Sequence, residues 1–196
     1  MLRPATRERQ SRNHRPQRRD LKPPTPKGLH MTVVYPDFSK GPCIPQGDIV
    51  LLSLGQIGMG HLTAEIAASP DLRGPQDGLL RLLEGEVTGH YHCFATPGMR
   101  NQPVMFRDDG LARDYAAVAD VATGTARLVD CSTALAALES NGALTRRDLT
   151  IGFLLIDGGP ADLSHPEHDT IRVPEGAYYV GRQIESAGAD ERVVQD

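Results

Sequence analysis

The chain has 196 residues, enough for one domain with a hydrophobic core, and carries 20 glycines, 15 prolines, no tryptophan and only 5% aromatic residues. No run approaches the roughly 18 apolar residues of a membrane-spanning helix, and no apolar signal core follows the basic start, so neither a membrane span nor secretion is expected. The net charge of −4 is uneven: residues 1–30 hold nine Arg or Lys against Glu8 and Asp20, which is +7, leaving −11 for residues 31–196.

Residues 1–30 have almost no aliphatic side chains and include Pro23-Pro24-Thr25-Pro26. Such a segment buries too little surface to offset its ordering entropy, and it is predicted to be a disordered basic leader. It can contact nucleic acid or a protein partner through its charge. Equally, it can be a solvated extension, an organellar address or an upstream extension of the reading frame before Met31. Cys43, Cys93 and Cys131 are odd in number, widely spaced and without a CxxC. That pattern points to a reducing, cytoplasmic setting and away from a disulfide framework or a cysteine zinc finger.

From residue 31 the chain reads as short β segments between turn signals, forming a single domain over residues 31–185. Residues 48–54 are a compact apolar strand entered from Pro45-Gln46-Gly47. Residues 62–68 predict one or two helical turns, capped near Thr63 and stopped before Pro70. Strands are expected at 79–83, 86–96 and 104–107, the last followed by the hairpin signal Asp108-Asp109-Gly110. Residues 115–121 and 126–129 are expected to pair across Thr123-Gly124. A helix at 132–138 takes Ser132 or Thr133 as its cap and ends at Asn141-Gly142. Residues 149–156 predict a buried strand ended by Asp157-Gly158-Gly159-Pro160, followed by a loop. Strands at 170–173 and 177–184 flank the turn Pro174-Glu175-Gly176, and 186–196 reads as a flexible polar tail. Short strands at roughly 8–12-residue spacing predict a mainly β fold, a small barrel or sandwich with one or two short helices.

Four of the seven histidines fall in two short blocks, Gly89-His90-Tyr91-His92 and His165-Pro166-Glu167-His168. On a strand, His90 and His92 share a face with Glu86 and Thr88, opposite Val87, Tyr91 and Cys93. Either the histidines converge inside a barrel, or the apolar set faces the core and the histidines lie in solvent, the ordinary pattern of a half-buried strand. In the second block Pro166 fixes its own φ and extends His165, so the loop is stiff enough to hold imidazoles in place.

If the blocks meet, His90, His92, His165 and His168 are candidate ligands for a divalent transition metal, zinc or else iron or nickel. Four imidazoles would close a structural site, whereas three plus water would leave the open position that hydrolysis needs. Glu167 is then a third ligand or the base acting on bound water. Without metal, two histidines can work as general acid and base on a phosphodiester, with Gln183, Arg182 or Arg172 stabilising charge. The opposing class is an accessory or interaction module whose His-Pro-Glu-His loop and basic leader contact a partner or nucleic acid. Gly55-Gln56-Ile57-Gly58-Met59-Gly60 only half meets the needs of a phosphate loop, since no Lys-Ser or Lys-Thr follows. Cys131 at a helix start and the isolated His61 receive no role.

Residues 84–92, Glu-Gly-Glu-Val-Thr-Gly-His-Tyr-His, together with 163–185, resemble a family of small bacterial and phage proteins. That family combines a GEVTGHxH block with HPEH, a PxGxY turn and a terminal RQxE. The resemblance implies that the two histidine blocks act as one constellation, and adds Gln183 and Glu185 as neighbours. By strand parity Tyr179, Gln183 and Glu185 share a face and can line the same pocket. A looser similarity to cupins implies a small β-barrel with an HxH metal motif. Here no Glu follows His92 at the cupin spacing, and the second block precedes Pro174-Glu175-Gly176.

Overall fold

The structure, a computed structural model, describes residues 33–84, 91–97, 104–105, 112–113, 122–165, 167–187 and 190–193. The basic leader, His90, Pro166 and the predicted strand at 115–121 lie outside the described residues.

Two sheets dominate. The six-stranded sheet runs β2 (Cys43–Gln46), β3 (Ile49–Ser53), β13 (Gly176–Arg182), β10 (Thr150–Asp157), β9 (Thr125–Val129) and β4 (Asp71–Arg73). The five-stranded sheet runs β1 (Val33–Val34), β12 (Thr170–Val173), β11 (Ala161–Ser164), β6 (Tyr91–Ala95) and β5 (Leu79–Glu84). β7 (Val104–Met105) pairs antiparallel with β8 (Ala112–Arg113), and the Asp108-Asp109-Gly110 turn signal lies outside the described residues. The fold is therefore mainly β, as expected, with two sheets facing each other over one core.

Parity explains the layers. On β3, Ile49 and Leu51 face the opposing sheet with Leu154 and Ile156 of β10 and Tyr178 and Val180 of β13. From the other sheet Leu80, Leu82, Phe94, Leu163 and Val173 fill the same core. The alternate residues of the central strands, Phe153, Leu155, Ala177 and Tyr179, face a second core. There they meet helices α1 (Thr63–Ala68) and α2 (Ser132–Ser140) through Ile66, Ala134, Leu135 and Leu138. Covered on both faces, β10 must be apolar throughout, which is why its run was legible as a buried strand.

The differences from expectation have local causes. Thr63 and Ser132 are the first residues of their helices, not caps; Leu62 and Cys131 stand at the N-cap positions without a side-chain cap bond. β2 contains Pro45, which lacks an amide proton, and it is accommodated because β2 lies at the sheet edge. β4 and β11 have three and four residues, too few for a periodic signal. Among the described residues β9 pairs with β10 and β4, so both of its edges are engaged near Val129. At the predicted flexible tail β14 (Ile184–Ala187) instead pairs antiparallel with β15 (Asp190–Val193), with Glu185 in register opposite Arg192. Among the described residues no helix is long and apolar enough to cross a membrane, and all three cysteines are free thiols.

Candidate functional site

β6 and β11 are antiparallel neighbours, with Leu163 opposite Phe94 and Ser164 opposite Cys93. One further step along this register sets His165 beside His92. Phe94 and Leu163 face the inter-sheet core, so His92 and His165, two residues away on their strands, are directed to that same side. Both are buried, at 2% and 1% exposure. The solvent-facing expectation for the first block is thus overturned for His92. Alternation could not decide the matter, because Tyr91 and Cys93 on the reverse face are buried as well, against Leu79.

The second block closes over the first. The ring of His165 stacks on His92 with centroids 4.3 Å apart and planes 22° from parallel. His168 stacks on His165 at 4.7 Å and lies 6.1 Å from His92. His165 Nδ1 accepts the Glu167 backbone N–H at 3.2 Å, which assigns its ring proton to Nε2 in the neutral tautomer. His168 is half-buried and Glu167 is exposed.

Two further residues complete the cluster, and sequence reasoning passed over both. Gln46 ends β2 and Asp48 precedes β3; Gly47 between them has φ 56°, and the two-residue turn places one side chain at each nitrogen of His92. Gln46 Oε1 lies 3.1 Å from Nδ1, and Asp48 Oδ1 lies 2.7 Å from Nε2. Gln46 Nε2 donates to the carbonyls of Asp169 at 2.7 Å and Leu163 at 3.4 Å. The polar side chains of Gln46, Asp48, His92 and His165 are all buried. The available signal was Gln46-Gly47-Asp48 at a tight turn before a strand, which reads as a boundary and hides two polar side chains with inward direction.

The remaining candidates are dispersed. Gln183 donates its side-chain amide to the Ile49 carbonyl at 2.8 Å and its backbone N–H to the Asp48 carbonyl at 2.7 Å, so it anchors the turn. Tyr179 lies in the helix-side core, edge-on to Phe153, with its hydroxyl 3.2 Å from Thr150 Oγ1. Tyr179 and Gln183 do line a common cleft of about 390 Å³, together with Arg146, Leu144 and Arg182. The Glu185 side chain is outside the described residues. Arg172 forms a buried bidentate pair with Asp162, at 2.8 and 2.9 Å, on the strand face opposite to Leu163 and His165. The Asp162 carboxylate raises the Arg172 pKa above its ordinary value. His61 is exposed in a short 3-10 turn, and Cys131 is buried at the start of α2.

As arranged, the donors do not fit a metal. Stacked imidazoles point their nitrogens in parallel rather than at a common centre, and both nitrogens of His92 are bonded to oxygens. Among the described residues no group of three His, Cys, Asp or Glu side chains is disposed to hold an ion, and His90 lies outside them. No family model, curated protein or solved structure matches the chain.

Proposed function

We propose that this is a small cytoplasmic enzyme that uses the histidine cluster for acid–base hydrolysis of a phosphodiester or related bond. The observation that carries the reading is the convergence of His92, His165 and His168 from segments far apart in the chain, backed by the buried carboxylate of Asp48. Imidazole is the side chain suited to exchanging protons near neutral pH. His168, the least buried of the three rings, is the group that meets substrate, and Glu167 beside it supplies a second acid–base group. The resemblance of 84–92 and 163–185 to small bacterial and phage proteins supports treating the two blocks as one unit.

A divalent metal such as zinc, iron or nickel is the competing reading, favoured by the donor chemistry of neighbouring imidazoles. It needs His90, and ring nitrogens released from Asp48, Gln46 and Glu167.

The test is turnover of bis(4-nitrophenyl) phosphate and a nitrophenyl carboxylic ester by the full chain, with EDTA or with added zinc. Nitrophenolate release that persists in EDTA and falls about 100-fold or more in His168→Ala is expected. Release only with added metal moves the site to the metal reading. No release under any condition sinks hydrolysis and leaves an accessory module whose His-Pro-Glu-His loop and basic leader contact a partner or nucleic acid.

A further inference from the structure

The three imidazoles are not equivalent, and the hydrogen bonds around His92 divide their roles. Carbonyl oxygens only accept, so the Gln46 amide that faces the carbonyls of Asp169 and Leu163 must present its NH2 group to them. Its oxygen is thereby turned to the ring, and His92 Nδ1 must carry a proton to be bonded at 3.1 Å. At the other end Nε2 faces a carboxylate oxygen at 2.7 Å, the length of a charge-assisted N–H···O bond. Rotating the ring by half a turn would put carbon against both oxygens. Gln46, Asp48 and His92 are all buried, so water cannot take the place of either partner.

We propose that Gln46 and Asp48 are positioning residues that hold His92 as a donor at both nitrogens, a fixed imidazolium against whose face His165 is stacked. His92 then takes no part in proton exchange with substrate and offers no lone pair to a metal. The reacting rings are His165 and His168, and His92 sets their plane and spacing. This division of roles rests on the acid–base reading for its catalytic consequence, but the state of His92 does not.

The experiment is nitrogen-15 NMR of the histidine rings in the full chain, with His92 assigned by the signals lost in His92→Gln. Directly bonded protons on both His92 nitrogens are expected. An unprotonated, pyridine-type nitrogen at His92 overturns the proposal, whether or not the protein hydrolyses anything. Doubly protonated His92 in a protein without turnover sinks the hydrolase reading alone. In Asp48→Asn the side-chain amide can donate to Nε2, so one pyridine-type nitrogen should appear at His92. Turnover of bis(4-nitrophenyl) phosphate should fall about tenfold or more through kcat with little change in KM. A purely structural role for Asp48 would lower the melting temperature and leave kcat in place, and that result removes the positioning role.

Discussion

Replacing Arg172 with Met leaves the Asp162 carboxylate buried without its cation, and the cost follows from the geometry. The pair is bidentate at 2.8 and 2.9 Å, with side-chain exposures of 6% and 3%, and joins directly opposed residues of β11 and β12. Breaking such a pair from one side costs about 3–5 kcal/mol, because the remaining charge keeps its desolvation penalty and loses its compensation. In a domain of this size 1 kcal/mol moves the melting temperature by about 2–4 °C, so a fall of roughly 6–20 °C is expected. Urea and thermal melts of Arg172→Met, Asp162→Leu and the double variant supply the assay. The double variant should lie within about 1–2 kcal/mol of the parent, since apolar residues of similar volume replace a buried ion pair at little net cost. That comparison holds even where the single variant is too unstable to purify. A loss below about 1 kcal/mol for Arg172→Met would mean that the pair behaves as a solvated surface bridge, and would refute burial of this sheet face. The effect bears on the site because β11 presents His165 just beyond Asp162.

Gly47→Ala forces a side chain into the left-handed region at φ 56° and should cost about 1–2 kcal/mol in urea melts. The same variant should disturb the His92 ring signals, since the turn sets both Gln46 and Asp48; unchanged signals would detach the turn from the site. Burial pushes the Tyr178 pKa up to about 12, and its hydroxyl donates to the Pro174 carbonyl at 2.8 Å. The folded state thus favours the neutral phenol: this stabilisation is complete below the unfolded value near 10 and is lost as pH rises from about 10 to about 12. Urea midpoints at pH 9 and 11 should fall less steeply for Tyr178→Phe than for the parent, and parallel slopes would contradict the assignment.

Much of the frame was legible in the sequence because burial imposes a period. β10 and β3 are apolar runs, and α2 carries Ala134, Leu135 and Leu138 on the side that meets the sheet. What was not legible lacks a period of its own: β4 and β11 are too short, and β15 is charged but for Val193. The histidine blocks were visible as composition, and their juxtaposition was expected as an alternative. The side on which His92 lies was not decidable, because both faces of β6 are buried. Gln46 and Asp48 went unseen for another reason: short polar residues at a glycine turn ordinarily meet water, and only the opposed sheet turns them inward. The position of Arg172, away from the histidines, likewise follows from a strand parity that cannot be fixed until β11 is known to exist.

The polar cluster is itself an argument about selection. Burying an amide, a carboxylate and two imidazoles between sheets contributes little to stability even when every partner is in place, and apolar residues of the same volume would serve a purely structural core at least as well. The neighbouring positions on the same strand faces, Ile44, Leu51, Phe94 and Leu163, show that this core accepts such residues. The Asp162–Arg172 pair admits a structural account, since two charges joining adjacent strands can specify register. The imidazole stack is of another kind: His165 meets His92 ring to ring at 4.3 Å, and His168 meets His165 in the same way at 4.7 Å. Local rules of core composition are broken most often at functional sites, where the breach serves chemistry and the surrounding fold compensates for it. In this chain the compensation is traceable atom by atom from Asp169 through Gln46 to His92 and Asp48, and the ring of His168 above them is half-buried.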